Sequence, residues 1–317
     1  MIPSAGTLYS PGMRFAKSVP GAIVLVLVLA ALLACGAVGF QVHRITHPER
    51  QPELQINLGA TLAKAEDISF NASDHTALSG WLFRGGVGRP AIVLAHDLGE
   101  SRNALISLAV VLNQAGFTVL AFDFRGHGAS GGSGSTLGLD ESRDVIGAVD
   151  FLTALPAGTV DTRRIGVYGI GMGAHAAVLA AAERASLRVL VLDGLWPDAR
   201  WTLVRRTFED WPWASDHLGA LPAVAFAMLS GESATRGRAE DVLPSLGTRD
   251  VLLVASASNA QLADALKSMY ATLPETRESE RSLVTLPSTP GSSAPASEVA
   301  AFHERIVEFF RVRLTRT

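Results

Sequence analysis

Three glycine-rich stretches carry the residue types that could do chemistry. In Gly169-Ile170-Gly171-Met172-Gly173 the glycines are spaced as in a sharp strand-to-helix turn. Such a turn lifts its middle residue toward solvent and is a place to present a nucleophile. The middle residue here is Gly171, which offers neither oxygen nor sulfur. His96-Asp97-Leu98-Gly99 sets a histidine beside a carboxylate, the side-chain types of general acid–base chemistry. Asp123-Phe124-Arg125-Gly126-His127-Gly128-Ala129-Ser130 is the third stretch. Each has a plain structural reading beside the chemical one. His96 reads as a loop residue bonded to backbone, His127 as a structural loop residue, His175 as a packed helix residue, and Asp193 as a structural or helix-capping carboxylate.

The elements that must position these residues alternate. Apolar runs at 91–96, 117–123, 164–169, 188–193, 251–255 and 282–286 predict buried strands, because a strand covered on both faces reads as a continuous apolar run. Segments 68–71 and 78–83 read as two further strands around a turn. Amphipathic stretches at 101–115, 140–155, 172–183, 261–273 and 297–314 predict helices between or after them. Alternation of this kind implies an α/β fold with a mostly parallel sheet and helices on both faces. The functional crevice then lies beyond the carboxyl ends of the strands, where all three stretches sit.

Taken in order, the three stretches resemble the motifs of α/β hydrolases. His96-Asp97-Leu98-Gly99 is similar to an H-G-x-G turn, the segment 123–130 to D-x-R-G-x-G-x-S, and 169–173 to the nucleophile elbow G-x-S-x-G. The resemblance runs over about 68–314 and is greatest to the serine aminopeptidase-like branch, with a helical cap at about 196–246. It implies a serine, a histidine and an acid acting together. At the serine position stands Gly171. The acid position falls on Asn259, which carries no charge. The loop where the histidine is expected, 287–296, contains none, and His303 lies beyond it in the closing helix, where it reads as a surface residue. Loss of the nucleophile alone costs a serine hydrolase roughly 10⁶-fold in turnover. The expectation is a non-catalytic binding or scaffold protein with an oxyanion-like crevice at His96, Asp97, Leu98 and Met172. The amides of Leu98 and Met172 are expected to remain open to a polar or anionic ligand. The competing expectation is an active esterase, peptidase or acyl hydrolase with relocated catalytic residues.

The 317 residues carry a net charge of −3, which excludes the basic footprint of a nucleic-acid binder. Cys35 is the one cysteine, so no intramolecular disulfide forms and the Cys/His spacing of a zinc site is absent. No metal or organic cofactor is implied. Residues 21–40 contain no charge, and twenty helical residues span roughly 30 Å, the thickness of a bilayer core. The organisation expected is a tail to residue 20, a single membrane helix at 21–40, a polar tether at 41–64 and the α/β domain from 65 to 317. A signal anchor with the domain outside the cytoplasm is the favoured topology. A cleaved signal peptide and a lipoprotein acylated at Cys35 remain open. Four of the five tryptophans, Trp196, Trp201, Trp211 and Trp213, fall in the cap. They read first as packing of the cap onto the sheet, then as a pocket for a small apolar or acyl ligand, a protein partner surface, or contact with the bilayer.

Overall fold

The computed structural model describes residues 19–51, 65–274, 280–286 and 295–315. The expected tail up to residue 18, the tether residues 52–64 and most of the Ser/Pro-rich loop, 287–294, lie outside the described residues.

The chain opens with α1 (Val19–Thr46) and then a hairpin, β1 (Ala65–Asn71) and β2 (Ala77–Phe83). Alternation follows: β3 (Arg89–Ala95), α2 (Ile106–Gln114), β4 (Thr118–Phe122), α3 (Glu141–Ala154), β5 (Val160–Ile170), α4 (Met172–Glu183) and β6 (Leu187–Asp193). The cap insertion carries α5 (Ala199–Thr207), α6 (Pro212–Leu218), α7 (Leu221–Ser230) and α8 (Ala239–Val242). The chain returns through β7 (Asp250–Ser256), α9 (Ala260–Thr272), β8 (Arg281–Leu286) and α10 (Ala296–Thr315). The eight strands form one sheet in the order β1-β2-β4-β3-β5-β6-β7-β8. The β1–β2 and β2–β4 pairs are antiparallel, and the other pairs are parallel.

Both faces of the sheet are covered, as the continuous apolar runs demand. On one face α2 and α10 pack through Leu108, Leu112, Phe302, Ile306 and Phe310 against Ile92, Leu94 and Val191. On the other, α3, α4 and α9 pack with the cap against Val93, Val167 and Leu253.

Order reverses between β3 and β5: from β3 the chain steps to β4 on one side, and from β5 to β6 on the other. This is the topological switch point where open α/β sheets form their crevice. Ala95 is paired with Gly169, so two residues past each strand partner the chain reaches Asp97 and Gly171 side by side. Ile170 is paired with Asp193 on the next strand, which completes the row.

The stretch 123–130 proves structural. Arg102 donates to Asp123 from its backbone amide (2.7 Å) and its guanidinium (3.1 Å), and Ala129 N–H donates to the same carboxylate (3.0 Å). Arg125 reaches Asp144 through Nε (2.9 Å) and Nη2 (2.6 Å), and Asp74 through Nη1 (2.8 Å). Asp144 is fully buried, so the guanidinium is what makes its charge tolerable.

Helix α1 departs from the expected anchor and tether. It continues past residue 40 to Thr46, and its last turns are not free: Val38, Val42 and Thr46 are buried, the two valines in the same core as Leu203 of α5 and Phe226 of α7. Ser135 N–H then donates to the Thr46 carbonyl (2.7 Å). Arg50 donates to the carbonyls of Gly128 (3.0 Å) and Gly132 (2.7 Å), and Gln51 to that of Gly99 (3.0 Å). The first residues of the expected tether are therefore bound across two crevice loops. The helix is the one candidate membrane span among the described residues, with a mean hydropathy of 2.9 over its most apolar window. It is compatible with a membrane anchor or a signal sequence.

The Arg125 cluster makes a prediction. Arg125→Ala leaves Asp144 without its counter-charge and destabilises the fold by roughly 3–5 kcal/mol. Arg125→Lys recovers only part, because a lysine cannot fork onto two carboxylates. Denaturant midpoints of the solubilised protein measure both.

Candidate active site and its occupied oxyanion position

Strand β5 turns directly into α4 at Gly171, whose φ of +55° and ψ of −112° lie where a residue with a Cβ is strained. The turn is held by Gly171 N–H donating to the Asp193 carbonyl (2.8 Å) and by His175 N–H donating to the Gly171 carbonyl (3.1 Å). Close packing explains the flanking glycines. A Cβ at Gly173 would overlap the Ala95 and His96 carbonyls, and one at Gly169 the backbone of Gly173. The elbow expected from the glycine spacing is present.

Its chemistry is altered by Asp97. The Oδ1 atom of Asp97 accepts from Met172 N–H (2.9 Å) and from Leu98 N–H (2.7 Å). These are the two amides expected to stand open to a ligand. They are instead bonded to the protein's own carboxylate, which corrects that expectation. The physical reason is the strand register, which brings the Asp97 side chain over the N-terminus of α4, where amides and helix dipole favour an anion. A Cβ on Gly171 would overlap the Asp97 carboxylate. Aspartate seated in the amide pair therefore requires a glycine at the elbow.

The Asp97 side chain is 29% exposed, and its Oδ2 faces Arg206 of α5 at 3.8 Å. Burial raises its pKa above the usual carboxylate value, more strongly than the Met172 amide, the Arg206 charge and the Leu98 amide lower it. Asp193 is buried and accepts from the Tyr168 hydroxyl (2.8 Å). Burial pushes its pKa up to about 7, the Tyr168 bond opposes the shift, and the nearby Asp97 charge adds to it. The expected capping role goes elsewhere: the side chain of Asp198 caps α5 through Trp201 N–H (2.7 Å).

The histidines of the crevice are committed to backbone. His96 is fully buried; its Nε2 accepts from Phe124 N–H (3.0 Å) and its Nδ1 lies 2.7 Å from the Asp97 carbonyl. Burial, reinforced by His127, drives its pKa down to about 3, so it stays neutral. His127 accepts from Gly99 N–H (3.1 Å) and bonds the Arg125 carbonyl (2.8 Å). His175 is buried between the carbonyls of Leu137 (3.2 Å) and Gly237 (2.8 Å), tying α4 to the cap.

The structure therefore brings together His96, Asp97, Leu98, Met172 and Gly171. It does not bring Asn259 to them. Asn259 caps α9 by accepting from Leu262 N–H (3.2 Å) and takes a bond from Arg205 (3.2 Å). The missing catalytic histidine belongs to a loop mostly outside the described residues. His303 corrects the surface reading. It is half-buried, with its pKa lowered by burial, and lines a cavity of about 540 Å³ with Asp97, Glu100, Tyr168 and Phe302. Helix periodicity sets His303 three residues before Ile306 and seven before Phe310, on the side that packs toward the sheet, and this was the signal for it. A second cavity, of about 580 Å³, lies in the cap between Trp201, Val204, Phe208 and Pro212. Among the described residues no group of acidic, histidine or cysteine side chains is arranged to hold a metal ion.

The sheet order, the elbow and the crevice at the switch point define an α/β-hydrolase fold. Residues 88–218 match the family model for serine aminopeptidase, S33, and that segment lies within the α/β-hydrolase fold. An uncharacterised Mycobacterium tuberculosis protein is 32% identical over 166 residues, which are 50% of this chain and 57% of that one. The matched segment thus spans about half the length of this curated relative. Among solved structures, the Pyrococcus furiosus esterase Pf2001 aligns with a TM-score of 0.61 at 20% identity, covering 85% of this chain and 98% of its own. The α/β hydrolase GrgF of a Penicillium species aligns with a TM-score of 0.61 at 16% identity, covering 79% and 99%.

Two predictions test the site. Gly171→Ala destabilises the protein by roughly 2–4 kcal/mol, from backbone strain and from collision with Asp97. In the Asp97→Gly background the same substitution costs at least about 1 kcal/mol less, a coupling read from a double-mutant cycle. Additive effects would mean that the two residues do not compete for one space. Separately, the folded state holds a proton on Asp193 up to about pH 7, while the unfolded chain releases it near the ordinary aspartate value of about 4. Stability therefore falls as pH rises from about 4 to about 7. Asp193→Asn keeps an acceptor for Tyr168 and removes this titration. Its stability relative to the parent should rise across that window and level off above it, and parallel curves would reject the assignment.

Proposed function

We propose that this chain is a membrane-tethered, non-hydrolysing α/β-hydrolase-fold protein that acts by binding. The observation that supports this reading most is the Asp97 carboxylate bonded to the Leu98 and Met172 amides directly over Gly171. Acyl transfer needs a nucleophile at the elbow and open donors for the oxyanion. Here the elbow carries no side chain, and the donors are taken by a group of the same charge sign as the oxyanion.

The long apolar α1 supports tethering, and the docking of its last turns and of Arg50 and Gln51 supports a domain held in a set relation to it. The cavity between Trp201, Phe208 and Pro212 in the cap is a place for a small apolar or acyl ligand. No metal or cofactor enters the reading. A domain outside the cytoplasm is the topology adopted, on a weak charge asymmetry: Arg14 and Lys17 precede the apolar run, and Arg44, Arg50 and the acidic Glu49 follow it.

The test is intact mass of the detergent-solubilised full chain after exposure to a fluorophosphonate, beside a serine hydrolase of known activity. The expected outcome is an unmodified chain and a labelled control. A stoichiometric adduct that disappears when the protein is denatured before labelling would overturn the reading in favour of an active hydrolase with relocated residues. Peptide mapping would then locate the serine.

A further inference from the structure

The apolar surface of the domain is concentrated in one place. Outside α1, the large hydrophobic side chains exposed among the described residues are Val87, on the loop between β2 and β3, and six on the cap: Trp211, Trp213, Leu218, Val224, Met228 and Leu229. Met228 is 82% exposed and Trp213 69%, values that water alone does not favour for large apolar side chains gathered on two consecutive helices. Helix α7, which carries three of the six, is apolar along nearly its whole length (LPAVAFAMLS) and packs on α1.

The position of this patch is set by α1. The buried face of that helix, Val38, Val42 and Thr46, follows the end of the apolar run at residue 40 and shares its core with Phe226 of α7. A helix seated against those turns lies level with the point where α1 leaves its apolar stretch. In a bilayer that level is the headgroup boundary, where tryptophan is favoured and amphipathic helices lie flat. The charges at the junction match. Arg44 in the last turn of α1 lines a cavity of about 450 Å³ with Arg205 and Arg206 of α5, Leu98 and Glu209. Three guanidinium groups against two carboxylates, Glu209 and the Asp97 that faces Arg206 at 3.8 Å, leave this space net positive, as an anionic headgroup requires.

We propose that the cap is seated on the bilayer: α6 and α7 press their exposed apolar side chains into the headgroup boundary beside α1, and the space between Arg44, Arg205 and Arg206 takes anionic lipid headgroups. The inference rests on the membrane-anchor reading of α1. It adds that the domain lies down on the membrane rather than standing off it on a tether. The crevice then faces the lipid surface, because Leu98 and the Asp97 partner Arg206 adjoin that space. An amphiphile could reach the crevice from the bilayer without crossing water.

The experiment uses the full chain in vesicles of phosphatidylcholine and phosphatidylglycerol, in a Cys35→Ser background with single nitroxide labels. Met228→Cys probes the cap, Val87→Cys an exposed site away from the cap, and Leu29→Cys the apolar run of α1. Power-saturation EPR compares collisions with oxygen, which partitions into lipid, and with a water-soluble nickel chelate. The proposal expects the Met228 label to meet the nickel chelate several-fold less than the Val87 label and to meet oxygen more. It expects this contrast to shrink when phosphatidylglycerol is omitted or when Arg44 and Arg205 are both changed to glutamine. A Met228 label as open to nickel as Val87, with Leu29 in the lipid core, overturns the seating while the anchor stands. A Leu29 label open to nickel overturns the anchor and the seating together. A Met228 label shielded from both reagents, with spin–spin broadening, shows a second copy on the patch and also overturns the proposal.

Discussion

A carboxylate bonded to two backbone amides at the crossing of β3 and β5 organises the whole site. Asp97 joins the loop after β3 to the N-terminus of α4 through the Leu98 and Met172 amides, and it leaves room above it only for a glycine. The strand order makes this meeting unavoidable, since Ala95 and Gly169 are paired and each chain leaves the sheet two residues later. The helix dipole of α4 adds a favourable field for the anion, while burial opposes it strongly enough to raise the pKa. The elbow's shape, the saturation of its donors and the absence of room for a nucleophile are thus one arrangement seen from three sides.

The second ordering element is α1. A membrane helix linked by a loose tether would leave the orientation of its domain undefined. Here the helix enters the cap core through Val38 and Val42, and Arg50 and Gln51 bond the loops that carry the crevice. Removing the helix would uncover the apolar cap residues packed on it and strip two loops of hydrogen bonds. Helix α1 and the domain form one packed body, and a form cut after the helix would be a different molecule at this surface.

Much of the fold was readable in the sequence because buried parallel strands announce themselves as continuous apolar runs, and close backbone crossings announce themselves as glycines. The elbow at 169–173 and the row of strand ends followed from those two signals. The occupation of the amide pair did not, because it depends on the relative register of two strands far apart in the chain. Asn259 was placed correctly after β7, but its role as the α9 cap depends on where that helix begins. His303 turned inward because the phase of α10 is set by Phe302, Ile306 and Phe310 packing on the sheet. Trp196 and Trp201 pack as expected of cap residues, whereas Trp211 and Trp213 stay exposed. Four rings in one segment do not reveal which of them face the core.

Likeness to hydrolases does not by itself carry hydrolysis into this chain. The family match ends at residue 218, before β7, Asn259 and the loop that would bear a histidine. The likeness to solved esterases is one of fold. The chemistry has to be argued at the crevice, and there the magnitudes are large. Two like charges about 4 Å apart repel by roughly 4 kcal/mol at an effective dielectric constant of about 20. That opposition alone would slow a reaction passing through an oxyanion by about a thousand-fold. A serine restored at Gly171 would meet both the collision and the charge. Recovering acyl chemistry would require Asp97 to leave first, and its departure would unbind the two amides that now hold the elbow to β3.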